Sequence, residues 1–158
     1  MTVVVNTPGA TTVTDIADGI KAVLDTLTVN GSAIYAYDHE PGYDGMDIPA
    51  ATLFIPDVER PELSEAESQM GADTWDSTWI LRLYTGLDDA RTAQRQLEVL
   101  LADAILAIDA NWTLDGRVLR ARIVRATSGS VHVQNRSFPL MAYECELEIR
   151  RLVDTLYT

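Results

Sequence analysis

The 158-residue sequence holds one cysteine, one lysine, two histidines and two phenylalanines. A lone thiol at Cys145 cannot close a disulfide within the chain, which rules out a disulfide-stapled scaffold. Apolar runs are short. The longest, 99–108, is interrupted by Asp103 and falls well below the ~18 residues that a membrane-spanning helix requires. The opening stretch MTVVVNTPGA lacks the basic segment and apolar length of a secretory leader, so residence in a cytoplasm is expected. One lysine and eleven arginines stand against 24 acidic residues, giving a net charge of −12. Conventional DNA binding needs clustered cations to displace counterions from phosphate, and this balance argues against it. The dinucleotide fingerprint GxGxxG, the P-loop and the GxSxG nucleophile elbow are all missing.

What remains is the content of a folded domain. Hydrophobic residues make up 47% and charged residues 23%, close to the globular average. The length fits one domain that buries roughly 70% of its unfolded surface. The expectation is a single domain over 1–158, with flexible termini at 1–11 and 154–158 and long loops at 38–49 and 57–76. Charge is uneven: residues 1–90 carry a net −13 and residues 91–158 a net +1.

Hydrophobic periodicity places the elements. Val13, Ile16, Ile20, Val23, Leu24 and Leu27 recur at spacings of three and four, predicting a helix over 12–27. Thr12 and Asp15 have capping-box spacing, and Asn30-Gly31 is read as its end. Gly19 weakens this helix and is expected to admit the approach of another backbone. Short strands are predicted at 33–37 and 50–55, the second stopping at Pro56. Alternation predicts a strand over 75–85, with Trp75, Ser77, Trp79, Leu81 and Leu83 on one face and Ile80, Arg82 and Tyr84 on the other. A second helix runs from Asp88-Asp89 to about Ala110, burying Ala93, Leu97, Leu100, Leu101, Ala104, Ile105 and Ile108. Residues 111–116 form a turn with Trp112 as anchor. Two strands follow. Strict alternation over 117–127 places Val118, Arg120, Arg122, Val124 and Ala126 together, opposite Leu119, Ala121 and Ile123. Over 141–151 it places Glu144, Glu146 and Glu148 opposite Tyr143, Cys145, Leu147 and Ile149. The fold class expected is α+β, a mainly antiparallel sheet with two helices packed on one face. The open face would carry Arg82, Arg120, Arg122, Glu144, Glu146 and Glu148. Two readings of it stand: a solvated face with weak ion pairs, or a subunit interface whose opposed charges set register.

Chemistry is sparse. Ser128 with His132 offers a nucleophile and a base in a loop context, without a third member. His39, His132 and Cys145 lack zinc-ligand spacing. Asp38, Glu40, Asp44 and Asp47 make an oxygen-rich loop without the alternate-ligand order of an EF-hand. Cys145, on an apolar strand face, reads as a buried and inert thiol. Trp79 and Trp112 read as core; Trp75, beside the acidic stretch, fits either core or a binding anchor. No catalytic residue, metal or cofactor is assigned.

In element order and in local phrases, the chain resembles the tail terminator proteins of long-tailed bacteriophages with noncontractile tails. Those phrases are DIADGIKAVLDTL, WILRLYTGLDDARTAQRQLEVLLADAILAI, NWTLDGRVLRARIV and ECELEIRRLV, together spanning most of 12–153. The resemblance implies a small α+β domain without enzymatic activity. Six copies would form a ring that caps the tail tube, stops its growth and docks the head connector. It implies as partners a second copy of the chain, the major tail tube protein and a head-completion protein, with the virion tail as location. DNA would pass through the lumen unbound, since six copies carry about −72. Asp44, Asp47, Glu62, Glu65, Glu67 and Trp75 are the candidate contacts to the tube or another partner. Competing readings are another head–tail neck or stopper protein, an acidic binding module, and a metal-dependent small hydrolase using the carboxylates of 38–47.

Overall fold

The computed structural model describes residues 12–42, 45–59, 72–86, 89–131 and 140–154. Helix α1 spans Val13–Leu24. Its start is fixed by the expected capping box: the Asp15 amide donates to Thr12 Oγ1 at 3.2 Å and the Thr12 amide donates to Asp15 Oδ2 at 3.3 Å. The helix stops at Leu24 with Asp25 as its cap, earlier than the expected end at Leu27. Asn30 and Gly31 do not cap it. Both have positive φ, 52° and 81°, and they turn a hairpin between β1 (Thr28–Val29) and β2 (Ser32–Ala33). Asn-Gly is the pair best suited to that two-residue turn.

Strand β3 (Tyr35–Ala36) runs parallel to β4 (Ala50–Glu59), and every other pairing in the main sheet is antiparallel. With β5 (Ala72–Thr85), β6 (Arg120–Val131) and β7 (Leu140–Asp154), the strand order is β3-β4-β5-β7-β6. Helix α2 (Ala90–Ala110) connects β5 to β6 and is capped by Asp89, whose Oδ1 accepts from the Thr92 amide at 2.9 Å. The chain is an α+β domain, as expected. Both helices contribute to one core with the same sheet face: Ile16, Ile20 and Leu24 from α1, Leu97, Leu100 and Ile108 from α2, and Leu53, Leu81, Leu83, Leu147 and Ile149 from the sheet. Each such side chain contributes about 1.5–3 kcal/mol of transfer free energy when fully buried. Among the described residues, no helix is long and apolar enough to cross a membrane.

The strands depart from strict expectation where a bulge intervenes. Strand β4 continues through Pro56 to Glu59 because its register against β5 shifts between Phe54 and Asp57. That irregularity accommodates a residue with no amide proton to give. Strand β5 begins at Ala72, so the supposed loop 57–76 is strand at both ends and Trp75 sits within β5. The remainder of that stretch, with Glu62, Glu65 and Glu67, lies outside the described residues, as do 1–11 and 155–158; Asp154 belongs to β7. In β6 a second shift falls between Ile123 and Arg125. Ala126 therefore pairs with Cys145 and packs on the core, on the opposite face from the one alternation assigned. Leu119, expected in the core, is 41% exposed, and Val118 is buried instead.

The turn after α2 is anchored by Leu114, fully buried at φ 49°, while Trp112 is 54% exposed. At Gly19 the close neighbours are side chains and not the backbone expected: an added Cβ there would lie 2.8 Å from Arg117 Cδ and 3.2 Å from Leu114 Cβ.

Candidate functional site

The sheet face turned away from the helices is organised in cross-strand rows. Reading β5, β7 and β6 in register, the rows are Arg82–Glu144–Thr127, Ile80–Glu146–Arg125, Thr78–Glu148–Arg122 and Asp76–Arg150–Arg120. All six residues expected on this face are there: Arg82, Arg120, Arg122, Glu144, Glu146 and Glu148. Three further charged residues join them. Arg125 was hidden by the bulge, which rephases β6. Arg150 and Asp76 were legible in principle by extending the alternation of β7 and β5 by one step. Across these three strands the face carries five arginines and four carboxylates, and β4 sets Asp57 opposite Thr78 and Glu59 opposite Asp76 in the same rows, a face of mixed charge on a chain of net charge −12.

Two ion pairs on it are closed. Arg82 donates from Nε and Nη2 to Glu144 Oε1 at 3.0 and 2.8 Å, and its guanidinium lies 4.4 Å from the centre of the Phe54 ring. Burial works against the Arg82 charge, but hydrogen bonds to Glu144 and Tyr84 outweigh it and the pKa moves up. Arg150 forks onto Asp76, Nε to Oδ1 at 2.8 Å and Nη2 to Oδ2 at 3.1 Å. That fork holds the Asp76 carboxyl below its ordinary value. The other opposed pairs, Arg122 with Glu148 and Arg125 with Glu146, face each other in register without a closed ion pair among the described residues. Arg120 stands opposite Arg150, a like-charge pair tolerated because Arg150 is committed to Asp76.

One end of this face is covered. Met46 and Ile48, from the segment expected to be a solvated loop at 38–49, are buried with Ala50, Tyr84 and Leu140. The segment is also tied by polar contacts: the Asp47 amide donates to Tyr37 Oη at 3.0 Å, and Thr52 Oγ1 donates to the Glu40 carboxylate. Asp47 is exposed on it; Asp44 lies outside the described residues. Trp75 is half-buried in β5, opposite Arg151 of β7.

A groove of about 560 Å³ opens near the start of α1, lined by Val13, Ala17, Leu53, Trp79, His39 and Glu40 among others. His39 Nδ1 lies 2.8 Å from Asp38 Oδ1, and this contact lowers the Asp38 pKa. The pair has the base-and-orienter geometry of a triad. Among the described residues the His39 ring bonds Asp38 and packs edge-on against Tyr37, with centroids 5.9 Å apart, and Thr14 lines the same groove. Ser128 is exposed on β6 and His132 lies outside the described residues. Cys145 is fully buried, and burial pushes its thiol up to about 12, with Glu144 adding to the shift. Among the described residues, no three His, Cys, Asp or Glu side chains group to hold a metal ion. No protein-family model matches the chain, and no curated protein matches its sequence. Function is therefore read from this geometry and from the resemblance in sequence.

Proposed function

We propose that this protein is a structural assembly subunit, the terminator of a noncontractile phage tail, acting as a ring at the head-proximal end of the tail tube and performing no catalysis. The observation that carries the reading is the open, arginine-rich sheet face on an otherwise acidic chain. A head-to-tail ring needs two different, mutually complementary patches on each subunit. The sheet face supplies arginines in opposed but unclosed pairs, and the acidic residues of 1–90 supply a matching partner on the next copy. Charge of this kind selects register and neighbour more than it adds affinity. The tube protein and the head connector would then occupy the two annular surfaces.

The test is association of the purified chain at rising concentration, with and without tail tube protein, followed by light scattering and negative-stain micrographs. Sixfold annuli, or tubes capped at one end, are expected. Arg122→Glu with Arg125→Glu reverses the charges opposite Glu148 and Glu146, and should prevent ring closure while leaving the circular dichroism spectrum unchanged. A chain that ignores tubes at every concentration sinks the reading. Binding to a head connector but not to tubes would reassign it as a neck or stopper protein. Rings that form equally well in the double variant would remove the sheet face from the interface.

A further inference from the structure

Helix α2 is apolar on two opposite sides. Its core side is Leu97, Leu100, Ala104 and Ile108, all buried. Its outer side carries Val99, Ala102, Leu106 and Ala110 at spacings of three, four and four. At about 100° per residue this second stripe is centred roughly 180° from the first. Val99 is 60% and Leu106 67% exposed. A helix apolar on both sides is normally covered on both. Buried sequence periodicity explains only one side here.

The charges at the two ends of the outer stripe are mutually complementary, and Asp103 near its middle lies to one side of it. Arg95 stands at its N-terminal end and Asp109 at its C-terminal end, both exposed. Val99 and Leu106 straddle a midpoint between residues 102 and 103. Turning the helix end over end about that midpoint sets Val99 against Leu106 of a second copy. It also sets Arg95, about 11 Å from the midpoint, against Asp109, about 10 Å from it on the other side. Ala102, next to the crossing, lets the two axes approach. A parallel arrangement would instead oppose Arg95 to Arg95 and Asp109 to Asp109, with aligned helix dipoles. Beside Val99 there is a hollow of about 250 Å³, walled by Val29 and Asn30 of the hairpin and by Arg95 and Gln96 of the helix. It lies where the Leu106 side chain of the second copy would arrive.

We infer that the outer face of α2 is a twofold docking surface for a second copy of this chain, paired antiparallel through Val99–Leu106 contacts and Arg95–Asp109 ion pairs. The inference is independent of the proposed ring function, because it uses neither the sheet face nor its charges. One helix pair with its rim buries on the order of 1,000 Å², the low end of specific interfaces. The dimer is accordingly concentration-dependent and dissociates on dilution.

Sedimentation equilibrium of the full chain from about 1 to 500 μM is the experiment. In the Arg122→Glu, Arg125→Glu background, in which the proposed ring cannot close, the chain should pass from monomer to dimer. Leu106→Glu replaces a solvent-exposed side chain, so it should fold normally and weaken pairing by about a hundredfold. Arg95→Asp should weaken it about tenfold by facing Asp109, and Arg95→Asp with Asp109→Arg should restore it. A chain that stays monomeric throughout in that background overturns the inference. So does a dimer indifferent to Leu106→Glu, or one that the charge-swapped double variant fails to rescue.

Discussion

Gly19 and Arg117 offer a test of the packing between α1 and the turn after α2. Alanine at position 19 gains about 1 kcal/mol from helix propensity. Its Cβ, however, would sit 2.8 Å from Arg117 Cδ, well inside the 3.5–4.0 Å optimum for carbon–carbon contact. Arg117 does not yield freely, because its Nη1 donates to the Leu114 carbonyl at 3.1 Å. Displacing it falls in the overpacking range of about 1–3 kcal/mol. Gly19→Ala alone should therefore be neutral to about 2 kcal/mol destabilising. Arg117→Ala removes the obstructing carbon and leaves only the 3.2 Å approach to Leu114 Cβ. In that background Gly19→Ala should stabilise by about 0.5–1 kcal/mol. Urea unfolding of the four proteins closes a double-mutant cycle, with an expected coupling of about 1–2 kcal/mol. Additivity within about 0.5 kcal/mol would refute the claim that Gly19 is kept small by Arg117.

Further outcomes follow from the same geometry. Cys145 should resist a thiol reagent at pH 8 in the native protein and react in urea, since burial pushes its pKa up to about 12; rapid stoichiometric labelling in native buffer would contradict its placement. Asp76 has a folded pKa below its unfolded value, so its stabilisation is present above about pH 4 and is lost as pH falls through the folded value. Asp76→Asn should cost under about 1 kcal/mol at pH 6, because the pair is partly exposed, and the gap to wild type should narrow as pH falls below about 4; a pH-independent gap would deny the ion pair. Leu114→Ala, at a fully buried anchor, should cost about 2–5 kcal/mol in thermal or chemical unfolding. Ile48→Ala should cost a similar amount if its segment is packed on Tyr84 and Leu140, and almost nothing if the segment were a solvated loop.

Most of the fold was legible wherever a single face meets a single core. The capping box at Thr12 and Asp15 and the charged side of β7 stand where spacing and period put them, and so does the α2 stripe except at Leu101 and Ile105, which are only half-buried. The misreadings arose where local chemistry had two uses. Asn30-Gly31 suits a helix end and a hairpin turn equally, and only the strands on either side decide. Pro56 reads as a stop until a bulge gives it a place without a ladder partner. Trp112 is larger than Leu114, yet the smaller side chain points at Gly19 and takes the anchor position. Met46 and Ile48 are scattered among polar residues, so no periodicity marks them as buried. The six charged residues of the sheet face were legible because period two keeps them together. Arg125 was not, because one extra residue changes the phase.

That extra residue has a further consequence. Val124 is the member of β6 left without a partner between Ile123–Leu147 and Arg125–Glu146. Excising it would leave each remaining cross-strand neighbour in place and no side chain on the wrong side. What would vanish is the kink. Strand β6 ends the sheet, and without the kink its outer border would become a straight row of unsatisfied amides and carbonyls, a template for edge-to-edge growth. The deletion should thus preserve the monomer while inviting fibres along the part of β6 that the turn at Trp112 does not cover.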